Sequence, residues 1–425
     1  MVEVAKALLF GKTMGTLLWD VSHGRAVFEY EESFEKSNLE PSPLQMPVRS
    51  GVSYSFGRLD YETYKGLPGL FADSLPDTYG RALFEQWLSL IGRTTANPVE
   101  TLCFMGKRCM GAIEYEPAVE IKYESASSFA IDKLVEVAQL AVNEKQSFAT
   151  NLKEDAKCAI ADILRIGTSA GGQRAKAIIA YNPITGEVRS GQIDAPDGFG
   201  YYIIKLDGVS GNAGLKETNN HGRIEYSFYL LAKNCGIDMT CCDLIEENGR
   251  AHFITERFDR IRNGKIHMQT LCCLAHYDYR QLRAYSYEQN FEVMRRLHLP
   301  YSDAQKMFAR MVFNVVIRNQ DDHTKNISYL MNDQGHWALS PAYDMGYAYN
   351  PKGGWTSQHQ MSVNGKFTDI TKEDLLECGR KNNIRNAHEI IDMIVENASH
   401  WPNLARQCGV PNDIVNRMFQ HFELQ

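Results

Sequence analysis

Asp321 and Asn326 stand five positions apart in the run Asn319-Gln-Asp-Asp-His-Thr-Lys-Asn326, a spacing suited to phosphoryl transfer. That reaction asks for a carboxylate that orients the attacking hydroxyl and takes its proton. It also asks for an oxygen ligand nearby to hold magnesium. Asp321 suits the first task and Asn326 the second. A short strand pair follows (ISYLM, then HWAL), and then Ser340-Pro-Ala-Tyr-Asp344-Met. A carboxylate returning to the same end of a hairpin is what a second metal ligand requires, because hard Mg²⁺ prefers oxygen donors. Taken alone, Asp321 and Asn326 read equally well as turn residues bonding their own backbone; Asp344 tips the reading toward catalysis. His323 and Lys325 are either solvated loop residues or phosphate neighbours, and Asp322 reads as structural.

Upstream, Lys205 ends the apolar strand YYIIK, and a lysine on a buried strand is uncommon without a partner. Kinases place one there for the ATP phosphates and pair it with a helix glutamate. Glu225, twenty residues on, is either that partner or an exposed helix position, and Lys205 itself is otherwise a snorkelling strand end. The run Gly167-Thr-Ser-Ala-Gly-Gly-Gln-Arg-Ala-Lys176 offers backbone N–H groups, at Gly171 and Gly172 among others, that could cradle phosphates. It is a weak signal alone, and it is not a Walker A motif. Thr255-Glu-Arg-Phe-Asp-Arg260 lies where a kinase hinge binds adenine, which makes Glu256 and Phe258 candidates by position.

These residues need two kinds of support. Short β-type runs (AKALLF, GTLLWD, RAVFEY) with polar turns open the chain, and LPDTYGRALFEQWLSLIG reads as an amphipathic helix with Leu83, Trp87 and Leu90 on one stripe. Strand character returns near 111–121, and ESASSFAIDKLVEVAQLAV is helical. From about 155 to 257 a helix, the Gly-rich turn, strands AKAIIAY and YYIIKL, a helix closed by Gly236, and strands CCDLIE and AHFITERF outline a small sheet with one packed helix. Beyond 280 the pattern is mainly helical. Ser302-x-x-Gln305 looks like a capping box. Asn386-x-x-Glu389 opens a helix whose stripe runs through Ile390, Ile391, Ile394, Ala398 and Trp401.

The chain has 425 residues, 44% hydrophobic and 23% charged, with a net charge of −7. That composition is ordinary for a globular protein with a sizeable core. The negative balance argues against a broad nucleic-acid-binding face. No stretch reaches the apolar length of a membrane helix, and the N-terminus lacks a secretory signal. The ten cysteines form no C-x-x-C, and Cys241–Cys242 and Cys272–Cys273 are adjacent, so reduced, mostly buried thiols in a cytoplasmic protein are expected.

Taken together, TSAGGQ at 168–173, IIKL around Lys205, ERFDR at 256–260, DDHTKN at 321–326 and SPAYDM at 340–345 resemble the HipA family of bacterial serine/threonine kinases, over nearly the whole chain. The resemblance implies an α+β, two-lobed protein-kinase-like fold. A strand-rich HipA-type subdomain would cover 1–120, a kinase N-lobe 121–258 and a helical C-lobe 259–425. It places Asp321 on the catalytic base, Asn326 and Asp344 on the magnesium ligands, and Lys205 on the ATP-phosphate lysine. Glu256 and Phe258 fall on the adenine hinge, His323 and Tyr343 on further nucleotide positions. It implies ATP and Mg²⁺ as cofactors and an autophosphorylated hydroxyl in the Gly-rich loop, Thr168 or Ser169. It further implies a HipB-like helix-turn-helix antitoxin as partner, with DNA reached only through that antitoxin. A translation component such as glutamyl-tRNA synthetase is the substrate it points to, and no membrane partner is expected.

Two departures stand out. Arg174-Ala175 replaces Glu-Lys, so the lysine arrives one place later, at Lys176, and Asp322 replaces a glycine. Two other function classes share parts of the pattern. One is a small-molecule phosphotransferase of the aminoglycoside-kinase type, against which the N-terminal unit and the TSAGGQ loop speak. The other is a loop-phosphorylated, inactive nucleotide-binding or co-repressor module.

Overall fold

The computed structural model describes residues 2–90, 92–118, 130–143, 175–191, 195–209, 220–262 and 264–423. Thr168, Ser169, Gly171 and Gly172 lie outside the described residues, as does the helix expected before them. Strands β1 (Val4–Leu9), β2 (Lys12–Asp20), β3 (Arg25–Tyr30), β4 (Ser53–Tyr54) and β5 (Ile113–Glu116) form an antiparallel sheet in the order β4-β3-β2-β1-β5. The period-two alternation of a half-buried strand sends Ala5, Ala7 and Leu9, and likewise Ala26, Phe28 and Tyr30, into one core. The strand expected near 111–121 is thus four residues long, and the helix expected after it is described over Ile131–Asn143.

A second antiparallel sheet, ordered β7-β6-β8-β10-β9, comprises β6 (Lys176–Tyr181), β7 (Val188–Ser190), β8 (Gly200–Lys205), β9 (Cys242–Glu247) and β10 (Arg250–Glu256). The helix His221–Asn234 packs on it and stops as Gly236 predicts, with that glycine at φ 68°. Gly222 lets the helix close on the sheet, since a Cβ there would lie 1.9 Å from the Ala251 carbonyl oxygen. The apolar face of this helix belongs to the helical lobe. Phe228, Leu231 and Ala232 join the C-lobe core. The buried Trp401 stacks on Phe228 at 4.7 Å and donates its indole N–H to Ser227 Oγ at 3.1 Å.

Small ribbons β11 (Arg260–Ile261) with β12 (Gly264–Lys265), and β14 (Tyr285–Ser286) with β17 (Met361–Ser362), flank a three-stranded sheet. In that sheet β13 (His267–Thr270) pairs with β15 (Ser328–Met331), and β15 pairs with β16 (Trp337–Leu339). Helices Leu271–Ala275, Tyr287–Arg296, Tyr301–Val316, Lys372–Lys381, Ala387–Ser399, Trp401–Gln407 and Asn412–Phe419 complete the described part of the lobe. Two local expectations are corrected. Ser302 caps nothing, because its helix starts at Tyr301 after Pro300, and Gln305 Nε2 donates instead to Asn386 Oδ1 at 2.8 Å. The stripe ending at Trp401 spans two helices, broken after Ser399 because Pro402 lacks the N–H to continue the first. Among the described residues, capping boxes lie at Ser286–Gln289 and Thr371–Asp374.

The N-terminal unit is locked to the hinge by charge. Asp259 is fully buried and its Oδ2 accepts from Arg257 Nη2, Arg260 Nη1 and the Gly111 N–H, each at 2.7 Å. Arg260 also reaches the carbonyls of Cys109 and Gly111, at 2.9 and 3.1 Å. A buried ion cluster is stable only when complete. Asp259→Ala should therefore cost about 3–5 kcal/mol in urea unfolding, and a loss under ~1 kcal/mol would show the cluster to be hydrated.

Two histidines beside the N-terminal unit make a second test. His267 Nε2 lies 2.9 Å from the Pro41 carbonyl oxygen, and His276 Nε2 accepts from the Gly69 N–H at 3.2 Å. Burial pushes the pKa of each down to about 4. The unfolded chain therefore binds more protons than the folded one between about pH 6.5 and 4. Stability from these groups is present above that window and lost as the pH falls through it. The Tm should drop from pH 7 to 5, and less steeply in His267→Gln; equal slopes would refute the assignment.

Candidate active site

Lys205 closes β8 with its ammonium between two carboxylates, Glu225 Oε1 from the helix and Asp344 Oδ1 from the loop after β16. The helix glutamate, open to two readings in the sequence, is the partner. Asp344 reaches the lysine from a left-handed backbone (φ 52°), a conformation Asp tolerates better than most residues. Its carbonyl accepts from Asn319 Nδ2 at 3.1 Å, and the same amide nitrogen donates to Asn314 Oδ1 at 2.9 Å. Phe253, Thr255, Tyr343 and Met345 wall the space beside Lys205.

Asp321 and Asn326 face each other across one short loop. Asn326 Nδ2 donates to the Asp321 carbonyl at 2.7 Å, which commits the nitrogen and leaves Oδ1 as the atom available to a cation. The Asp321 carboxylate accepts from Trp355 Nε1 at 2.6 Å through Oδ1, and His323 Nε2 stands 3.7 Å from the same oxygen. Tyr279, His323 and Trp355 cluster around it, with ring centroids 5.2–6.4 Å apart. Lys325 turns over the Tyr279 ring at 5.1 Å. Asp322, beside the candidate base, is buried. It accepts from Tyr287 Oη at 2.8 Å and the Gln360 N–H at 2.7 Å, and it pairs with His359 Nδ1 at 2.8 Å. The loop is thus pinned from below by one carboxylate while its neighbour stays partly exposed.

At the hinge, Glu256 is exposed at the end of β10, and the Phe258 ring stands 5.7 Å from that of Tyr343. An aromatic pair of this kind is a wall on which a planar base can stack. Tyr343 Oη donates to the Lys325 carbonyl at 2.7 Å, so the hinge-side aromatic is tied to the Asp321 loop.

The charges are unequal in kind. Burial alone would raise Asp344, but the ammonium groups of Lys205 and Lys176 hold its pKa at about 2. Burial raises Asp321, against the opposing pull of His323 and the Trp355 N–H. Burial lowers His323, against the attraction of Asp321. One carboxylate is therefore fixed as an anion while the other is poised to take a proton, a division of labour typical of catalytic sites.

Two family models cover the chain: the HipA N-terminal domain over residues 5–116 and the HipA-like C-terminal domain over 168–423. The chain belongs to the HipA family. Two Sinorhizobium fredii proteins whose names carry the word kinase, Y4mE and Y4dM, are 31% identical over 197 residues and 28% over 205. Those matches span 44% and 43% of this chain and 41% and 46% of the relatives, less than half of either protein. A HipA from Shewanella oneidensis MR-1, solved with HipB and its operator DNA, superposes with a TM-score of 0.65 at 15% identity. The match covers 98% of this chain and 94% of that one. The two-lobed HipA fold therefore runs through essentially the whole chain.

Lys205, Glu225, Asp321, Asn326, Tyr343 and Asp344 converge, with His323 at the edge and Phe258 and Glu256 at the hinge. Trp355 escaped the sequence reading. Its only signal is the pair Gly353-Gly354 before it, both at positive φ, which lets the chain turn back over Asp321. Trp355→Phe keeps the ring and removes the N–H that pulls the Asp321 pKa down. The Asp321 carboxyl titration, followed by ¹³C NMR against an Asp321→Asn control, should move upward; an unchanged titration would show that the contact is not made in solution.

Proposed function

We propose that this chain is an ATP- and Mg²⁺-dependent serine/threonine protein kinase and the toxin of a toxin–antitoxin pair. The observation that carries the reading is the Lys205 ammonium held between Glu225 and Asp344, with Asp321 near enough to feel the Asp344 charge and Asn326 bonded to the Asp321 backbone. It is the lysine–glutamate pair, base and metal-ligand set that phosphoryl transfer uses. Asn326 Oδ1 and the Asp344 carboxylate are hard oxygen donors. Two such protein ligands suit a cation that arrives with nucleotide phosphates. Mg²⁺–ATP, when bound, supplies the γ-phosphoryl group and the cation that screens its charge.

The chain's own groups do the rest. Lys205 neutralises phosphate oxygens and orients them. Phe258 and Tyr343 hold the base, with the Glu256 backbone beside them. Asp321 orients the substrate hydroxyl and takes its proton at Oδ2, the oxygen that Trp355 does not engage. The hydroxyl oxygen forms the new bond to phosphorus, and the bond to the bridging oxygen breaks with its electron pair leaving on ADP. The raised pKa of Asp321 makes it a better proton acceptor than an ordinary surface aspartate.

The Shewanella relative was solved with HipB and operator DNA, which supports a HipB-like antitoxin as partner here and DNA reached through it. A hydroxyl of the Gly-rich run, Thr168 or Ser169, is the autophosphorylation site on this reading, and a translation component such as glutamyl-tRNA synthetase is the external substrate. A cytoplasmic location accords with that substrate; no helix among the described residues is long and apolar enough to cross a membrane.

Intact-mass spectrometry with peptide mapping, after incubation with Mg²⁺ and ATP, tests the proposal. The wild type should gain phosphate on Thr168 or Ser169. Asp321→Asn should lose on the order of 10²–10⁴ in rate, and Asp344→Asn should be silent, both with unchanged circular dichroism. Phosphate incorporated into a sugar or an antibiotic, and into no protein, would overturn the protein-kinase reading.

A further inference from the structure

Trp355 donates its indole N–H to the Asp321 carboxylate at 2.6 Å, and its ring stands 6.4 Å from that of Tyr279 at 72°. His323 closes the triangle, 5.2 Å from Tyr279 and 6.1 Å from Trp355. Trp355 and Tyr279 each remain half-buried. The groups assigned to the nucleotide, Lys205, Phe258 and Tyr343, account for neither ring. The indole is also held from behind. The Gln360 side-chain amide donates to the Trp355 carbonyl at 2.7 Å and to the Gln320 carbonyl at 3.2 Å, so the Trp355 backbone is tied to the residue just before the base.

We propose that Trp355 and Tyr279 form an acceptor-side subsite, a wall that reads an apolar residue directly flanking the phosphorylated hydroxyl residue of a protein substrate. The proposal rests on the kinase reading and extends it to what lies beside the acceptor. A hydroxyl that reaches Asp321 brings its chain neighbours with it, because consecutive Cα atoms are only about 3.8 Å apart. Those neighbours arrive beside Trp355, within the span of the two rings. Rigid aromatic rings offer a large contact area at little entropic cost, and pockets for individual side chains are what give peptide recognition its specificity. The charges at the wall select against the other classes. Lys325 Nζ lies 5.1 Å and Arg280 Cζ 5.8 Å from the Tyr279 ring centre, so cations already occupy the ring that would attract a basic residue. The Asp321 carboxylate disfavours an acidic one. An aromatic or large aliphatic side chain is the fit that remains.

Phosphorylation of a positional-scanning Ser/Thr peptide library with Mg²⁺ and ATP, followed by steady-state kinetics on the preferred peptide, discriminates the outcomes. The wild type should prefer an aromatic or large aliphatic residue beside the acceptor. Trp355→Ala should lose that preference and raise the KM for the peptide about tenfold or more, with the KM for ATP unmoved. Trp355→Phe, which keeps a ring, should retain the preference whatever its effect on kcat. If Trp355→Ala does not fold, Tyr279→Ala takes its place with the same expectation. No preference at either flanking position, a preference for a charged residue there, or an apolar preference that survives in the alanine variant would overturn this inference and leave the kinase reading standing. A lowered Tm with an unaltered peptide KM would reduce the rings to loop packing and overturn it likewise, as would autophosphorylation without transfer to any library member. A wild-type protein that transfers phosphate neither to itself nor to a peptide would overturn the kinase reading and this inference with it.

Discussion

One ammonium shared by two carboxylates sets the terms for the rest of the molecule. Lys205, Glu225 and Asp344 come from a strand, the helix after it and a loop 139 positions beyond the lysine, and each charge is partly withdrawn from water. Removing one partner from such a set strands the others, so the elements that carry them must be held firmly. The helix bearing Glu225 is held from both sides. Gly222 lets it lie against the Ala251 backbone, and Trp401 clamps its far face into the helical lobe. The loop bearing Asp344 is held by Asn319 at its carbonyl and by the Tyr343 hydroxyl one residue earlier. The site is therefore assembled by the packing of both lobes.

Much of this was legible because the chemistry demands particular residues at particular separations. Asp321, Asn326 and Asp344 announce themselves by type and spacing, and Lys205 by the oddity of a lysine on an apolar strand. Element types followed from periodicity wherever one face is buried, as in β1 and β3. The misses share a physical cause. Ser302 and Gln305 have the spacing of a capping box, but Pro300 starts the helix one residue early and Gln305 is taken by Asn386, 81 positions away. Trp355 is silent because an indole N–H aimed at a carboxylate depends on a glycine turn that no pattern of side chains encodes. The Glu225 helix reads as the companion of a small sheet, and its anchoring by Trp401 is a contact 174 positions long. Local rules find groups; they do not find which distant group has claimed them.

The hinge motif shows how that matters for reading a family from its signatures. Of the five residues Glu256-Arg-Phe-Asp-Arg260, Phe258 faces Tyr343 at the cleft and Glu256 is exposed. Arg257, Asp259 and Arg260 face the other way and complete a buried ion cluster with the Gly111 amide and the Cys109 carbonyl. Most of this motif therefore fastens the N-terminal unit to the end of β10. Two guanidinium groups around one carboxylate are tolerable in a dry interior only because the backbone of that unit satisfies the remaining valences. Without the unit, the same three residues would face water, where such pairs contribute little. A chain of this fold lacking the unit would thus have no physical reason to keep Asp259, whereas the contact of Phe258 with Tyr343 would be untouched. The motif records two constraints superimposed on one strand end, and only the structure separates them.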